Sequence, residues 1–189
     1  RERKEDISPL AYRFLEKFPE AEDAIKKYTQ LIPDDPNPYD SYAELLMKTG
    51  RFDESIVQYK KALSADPHFG FAHVGIAGNL MYQGKHDAAT AEVQKLYNAA
   101  RDDGDRRNAL FTRAVIYVDQ GRTKSAMGEM EKLYALDTKL GDTAAMGGDA
   151  LQMGDILLDA GQADQAAKRY RQSLALVESS GLSPEIKQN

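Results

Sequence analysis

Four glycines, Gly50, Gly84, Gly121 and Gly161, each stand at the same point of a recurring pattern of small and apolar residues. Seven places before each stands Ala43, Ala77, Ala114 or Gly154, and five places after stands Ser55, Ala89, Ala126 or Ala166. Nine places after comes an apolar or aromatic residue: Tyr59, Val93, Met130 or Tyr170. Helices cross closely only where side chains are small, so the small slots mark where paired helices touch. Glycine enters the left-handed conformation without a β-carbon clash, so each of these glycines marks a helix end and a chain reversal. The repeating unit is therefore a helical hairpin. Each of its helices carries one apolar stripe, and a single hairpin cannot hide both, so copies must stack.

The clearest copy spans residues 36–67. In its first half Tyr39, Tyr42, Ala43 and Leu46 recur at helical spacing; in its second half Phe52, Ser55, Ile56, Tyr59, Ala62 and Leu63 do so. Pro67 ends the second helix, because proline lacks an amide donor and disfavours helix in Asp66. The glycine spacings are 34, 37 and 40. The pattern inside each hairpin is constant, so the added residues lie between hairpins and the later helices should be longer. There Gly104-Asp105 and Gly141-Asp142 each read as a helix-ending glycine followed by a capping aspartate. Residues 7–35 read as a worn first copy, with a short helix over 7–17, Pro19 in the turn, and Ala21, Ala24, Ile25, Tyr28 and Ile32 on the second helix. Residues 1–6 form a charged tail. Ser183-Pro184-Glu185 starts a further helix or a short cap within 181–189. The expected units are thus 7–35, 36–69, 70–104, 105–141 and 142–180, all-α throughout.

Composition excludes several kinds of work. With a net charge of −5 and both signs mixed along the chain, there is no basic footprint for nucleic acid. There is no cysteine, hence no disulfide, thiolate metal site or cysteine nucleophile. No apolar run approaches the ~18 residues of a membrane span. His68, His73 and His86 lack the spacing of a metal site, and read as junction, packing and turn residues. The Asp102-Asp103-Gly104-Asp105 cluster lacks the spaced ligands of a calcium loop and reads as a capping junction. Arg101, Arg106 and Arg107 read as ordinary charge pairing, and Tyr97, Tyr117 and Tyr134 as core. No catalytic, cofactor-binding or metal-binding residue is expected.

These hairpins resemble the tetratricopeptide repeat, a helix-turn-helix unit. The best copy carries Tyr39, Tyr42-Ala43, Leu46, Gly50, Phe52, Ser55, Tyr59, Ala62 and Pro67; the next keeps Ala77, Leu80, Gly84, Ala89 and Leu96 and places His73 in the aromatic slot. The last two copies are longer than the family norm and lack the terminal proline. The resemblance implies a right-handed α-solenoid of antiparallel hairpins. Its first helices line a concave groove that holds a peptide or helix of a partner protein, without catalysis of its own.

The packing slots fix one stripe of each first helix and leave a second free for that groove. The free stripe contains Asp40, Glu44 and Met47 in the first good copy, then Phe71, Val74, Gly78 and Met81, then Asn108, Phe111, Val115 and Val118, then Leu151 and Asp155. It should be acidic at its N-terminal end, apolar and aromatic in the middle, and mixed beyond. Gly75 and Gly78 cost roughly 1 kcal/mol each within a helix, and helix crossing is the leading reason for them. The resemblance also supplies a test. Family members that grip acidic chaperone tails use lysine, arginine and asparagine in groove slots that here hold Asp40, Glu44, Gly75, Gly78, Asn108 and Thr112. That carboxylate clamp is absent, and a basic or amphipathic protein segment suits the charges better.

The leading expectation is a protein-interaction scaffold. Alternatives are the non-catalytic part of a larger enzyme or regulator, suggested by the missing initial methionine and the unfinished helix at Pro184, and a self-associating module using Tyr170, Leu174 and Val177. The residues leave the compartment open, cytoplasmic or exported after removal of a leader.

Overall fold

The computed structural model describes residues 17–179, and all secondary structure among them is helical. The charged tail, the short helix over 7–17 except its last residue, and the segment 181–189 lie outside the described residues. Two compact units divide between residues 99 and 100. The first contains α1 (Phe18–Leu31), α2 (Pro36–Lys48), α3 (Phe52–Ala65), α4 (Gly70–Tyr82) and α5 (His86–Ala99). The second contains α6 (Asp103–Asp119), α7 (Thr123–Leu140), α8 (Thr143–Asp159) and α9 (Ala163–Ser179). Within each unit every helix packs on the next in sequence, and α2 also touches α4. This is the helical-repeat architecture that the glycine register implies.

The four turns are chemically alike. Gly50, Gly84, Gly121 and Gly161 have φ of 76°, 72°, 68° and 74°. In each, the glycine amide and the next amide bond back to carbonyls of the last helical turn: Gly121 N to Val118 O at 2.8 Å and Arg122 N to Tyr117 O at 2.8 Å, for example. That is a Schellman closure, which satisfies carbonyls a bare helix end would orphan. Gly141 does the same at φ 71°, and Asp142 then caps α8 by accepting from Ala145 N at 2.9 Å. The other Gly-Asp junction differs from expectation. Gly104 lies inside the first turn of α6, and the capping residue is Asp102, which accepts from Asp105 N at 2.9 Å. An aspartate with extended backbone just ahead of the helix wins over one already inside it. Pro19 also falls within the first turn of α1 rather than in a turn before it, a position where its missing amide costs nothing. The later helices are longer, 17 or 18 residues against 13 or 14 in the first unit.

The small slots do what their size suggests. Ala43, Ala77, Ala114, Ser55, Ala89, Ala126 and Ala166 are all buried. Ser55, the polar exception, donates to Ala43 O at 2.7 Å and accepts from Asn79 at 2.9 Å, tying α2, α3 and α4 together. Around it Tyr59, Ala62, Ala72 and Ile76 form one core cluster; Leu110, Ala114, Met130, Leu133 and Met153 form the core of the second unit.

Two tyrosines explain two glycines. A β-carbon on Gly75 would lie 2.1 Å from the Tyr59 ring, and one on Gly154 would lie 2.4 Å from the Tyr170 ring. Gly75 thus serves helix crossing. Gly75→Ala is expected to destabilise the first unit by about 1–3 kcal/mol, because the buried Tyr59 has nowhere to go. Gly148 lies in α8 with nothing within 4 Å of a β-carbon, so Gly148→Ala is expected to stabilise by about 0.5–1 kcal/mol. Urea unfolding followed by far-ultraviolet circular dichroism separates the two signs.

Candidate functional site

In each first helix the free stripe falls ten, six and three places before the turn glycine: Asp40, Glu44, Met47; Val74, Gly78, Met81; Phe111, Val115, Val118; and Leu151, Asp155, Leu158. These spacings keep to one face of a helix. The two units cover that face differently.

In the first unit the stripe is half-buried. Asp40, Glu44, Met47, Val74, Gly78 and Met81 are all partly covered, because α2 and α4 lie side by side. The Met47 sulfur sits 3.9 Å from where a β-carbon of Gly78 would be. Exposed aromatics flank this seam. Phe71 is 61% exposed and edge-on to Phe69, and Tyr82 is 63% exposed and stacked on Phe52. Met47, Lys48, Phe52 and Tyr82 line a shallow depression at the turn end.

In the second unit the stripe is open and apolar. Phe111, Val115 and Val118 on α6 are about two-fifths exposed, as are Leu151 and, more so, Leu158 on α8. Between α6 and α8 lies a cavity of about 160 Å³, walled by Phe111, Val115 and Val118 on one side and Ile156 on the other, with Ala114 and Met130 beneath. Gln152, Asp155 and Asp159 form its polar margin. The cavity therefore gathers Phe111, Val115, Val118 and Asp155 of the sequence-derived set; Asn108 and Leu151 lie outside it. Tyr170 of α9 donates its hydroxyl to Asp155 at 2.9 Å. The phenol's ionisation is pushed up by burial, by this hydrogen bond, and by the negative charges of Asp155 and Asp159.

Several charged residues that the sequence pattern does not single out are inside. Eight places after Gly84 and after Gly121 stand Glu92 and Glu129, both buried. His73 Nδ1 meets Glu92 at 2.6 Å and Arg113 donates to Glu129 at 3.0 Å, each joining the first helix to the second. Lys95 and Lys132, three residues further on, bond the same carboxylates from the surface. Arg107 of α6 is more than ordinary pairing: it bonds the buried Asp137 at the end of α7 and reaches Asp142 at 2.9 Å. Asp149 of α8 is buried nearby, with one carboxylate oxygen unpartnered. Burial, then the charge of Asp137, push the Asp149 carboxyl up to about 7. Of the three tyrosines expected in the core, Tyr97 is instead 38% exposed.

Among the described residues no cluster of histidine, aspartate or glutamate could hold a metal ion, and no described helix is long and apolar enough to cross a membrane.

Comparison with known proteins agrees with this architecture. The family profile described as tetratricopeptide repeat matches residues 37–69. No curated protein matches the sequence. Solved structures do match in shape. A thermophilic tetratricopeptide-repeat protein in Thermus thermophilus shares 16% identity over 89% of this chain and 87% of its own, with a TM-score of 0.66. PilF of Pseudomonas aeruginosa shares 18% identity over 95% and 76%, with a TM-score of 0.63. YrrB, a tetratricopeptide-repeat protein with an unusual peptide-binding site, shares 22% identity over 85% and 76%, with a TM-score of 0.53. At such identities the likeness speaks for the fold. Residues 37–69 match a tetratricopeptide repeat, the glycine register recurs along the later helices, and the shared folds show the same all-α helical-repeat architecture for the chain.

Proposed function

We propose that this protein is an interaction scaffold, without catalysis of its own, that holds a peptide or helical segment of a partner protein against its first helices. The observation that carries this reading is the open apolar face of α6 and α8, where Phe111, Val115, Val118 and Leu151 stay exposed in a folded unit. Apolar surface clustered in a concavity and rimmed by polar groups is the usual signature of a docking site. In the first unit Asp40, Glu44, Met47, Val74, Gly78 and Met81 offer a flatter, more acidic face, with Phe71 exposed beside it. YrrB, of the same fold, has a peptide-binding site, which favours this use of the architecture. The acidic residues favour a basic or amphipathic segment over an acidic tail.

Affinity capture from the source cell, read by mass spectrometry, tests the reading. Phe71→Glu and Phe111→Glu place charges on exposed positions, so circular dichroism should be unchanged while specifically captured partners are lost more than about tenfold, as for an anchor at an interface centre. Retention of every partner by both folded variants counts against the scaffold reading.

A further inference from the structure

We propose that the cavity between α6 and α8 seats one large apolar side chain of the bound segment, and that Asp155 and Asp159 select segments carrying lysine or arginine beside it. This rests on the scaffold reading and adds the chemistry of the ligand. The cavity is the right kind of space: Phe111, Val115, Val118 and Ile156 wall it and the buried Ala114 and Met130 close its floor. Its volume of about 160 Å³ has room for one anchor rather than for a folded surface. Methionine at the floor and isoleucine at the wall let the fit adapt to leucine, methionine or phenylalanine.

The margin is one-sided in charge. Asp155 and Asp159 stand one helical turn apart on α8 and both border the cavity. Like charges at that spacing repel. Among the described residues Asp155 is met by the neutral Tyr170 hydroxyl, and no lysine or arginine is paired with either carboxylate. Burial raises the tyrosine's ionisation first, and its hydrogen bond to Asp155 and the charges of Asp155 and Asp159 add to it. A cation supplied by the ligand relieves that repulsion and pairs beside apolar walls, where screening by water is reduced. Gln152, on the same margin, brings an amide within reach of a peptide backbone. A segment with glutamate beside its apolar anchor meets two carboxylates and is rejected.

A displayed library of random peptides, panned against the full chain, tests this. Enriched peptides are expected to pair a large apolar residue with lysine or arginine within about one helical turn, and to lose more than about tenfold in affinity with Phe111→Glu. Asp155→Asn with Asp159→Asn keeps the side-chain shapes and the acceptor for Tyr170. It is expected to weaken the same peptides about fivefold at low salt, with the difference shrinking as salt rises. If peptides depend on Phe111 but show no basic enrichment and bind the double variant equally, the charge selection is overturned and the scaffold reading stands. If no enriched peptide depends on Phe111 or Phe71, the scaffold reading fails and this inference falls with it.

Discussion

Arg107→Met is expected to destabilise the second unit by about 3–5 kcal/mol, more than any surface substitution should. The reason is what stays behind. Arg107 is the cation that meets Asp137, which is 1% exposed at the end of α7, and it also binds Asp142, which caps α8. Removing it leaves a buried carboxylate without its cation, beside a second buried carboxyl on Asp149. Methionine keeps much of the arginine stem's volume, so the loss reports charge rather than packing. Urea unfolding at neutral pH, followed by circular dichroism, measures it. A companion, Arg107→Met with Asp137→Leu, is expected to recover much of the loss, since a buried ion pair replaced whole by apolar groups is often neutral. A single-variant change within ~0.5 kcal/mol, the range of ordinary surface sites, would show that the junction does not depend on this pair.

The same junction shows where sequence reading ran out. Packing is written in small residues at fixed offsets, and those offsets survive because no larger residue fits where helices cross. Ala43, Ala77, Ala114 and Gly154 therefore point to the hairpins, and Gly50, Gly84, Gly121 and Gly161 to their turns, before any coordinate is known. Gly75 was legible for the same reason, although not its partner Tyr59. Charged residues carry no such mark. Arg107 reads as ordinary charge pairing and nothing in the sequence singles out Asp137 or Asp149, because arginine and aspartate are usually solvated; only the packing of α6, α7 and α8 encloses the two aspartates. Glu92 and Glu129 did leave a trace: both stand eight places after a turn glycine, each followed by a lysine three residues on. In these two repeats a carboxylate recurring at one register marks an inward pair with the first helix. Gly104-Asp105 misled because a cap needs extended backbone ahead of the helix, which the dipeptide alone does not specify. The stripe of the candidate site was legible as a face of each first helix. How deep it lay was not, since that depends on how close neighbouring first helices come. Close approach of α2 and α4 half-covers Met47 and Gly78, whereas α6 and α8 leave Phe111 and Val115 open around a cavity.

Asp149→Asn should reverse the way the second unit responds to pH. In the folded protein the Asp149 carboxyl holds its proton up to about 7, because burial opposes its charge and Asp137 beside it is negative; its ordinary value is 3.8. Between those values the folded unit carries a proton that the unfolded chain has already released. Stability therefore falls as pH rises from about 4 to about 7, by at most ~1.4 kcal/mol per pH unit, and levels off above that window. Summed across the window, the penalty at pH 8 is roughly 2–4 kcal/mol. Asparagine cannot ionise, and its amide can donate to Asp137 as the protonated acid does. The variant is expected to match the parent near pH 4, exceed it by that margin at pH 8, and show no slope from this site. Urea unfolding of both proteins across pH 4 to 8 reads the difference directly, because acidic groups common to the two cancel. Hydrogen exchange along residues 143–159 locates it, with slower exchange expected in α8 of the variant at pH 8. Parallel stability curves would mean that Asp149 ionises normally in the folded chain, and that Arg107 neutralises both carboxylates rather than one.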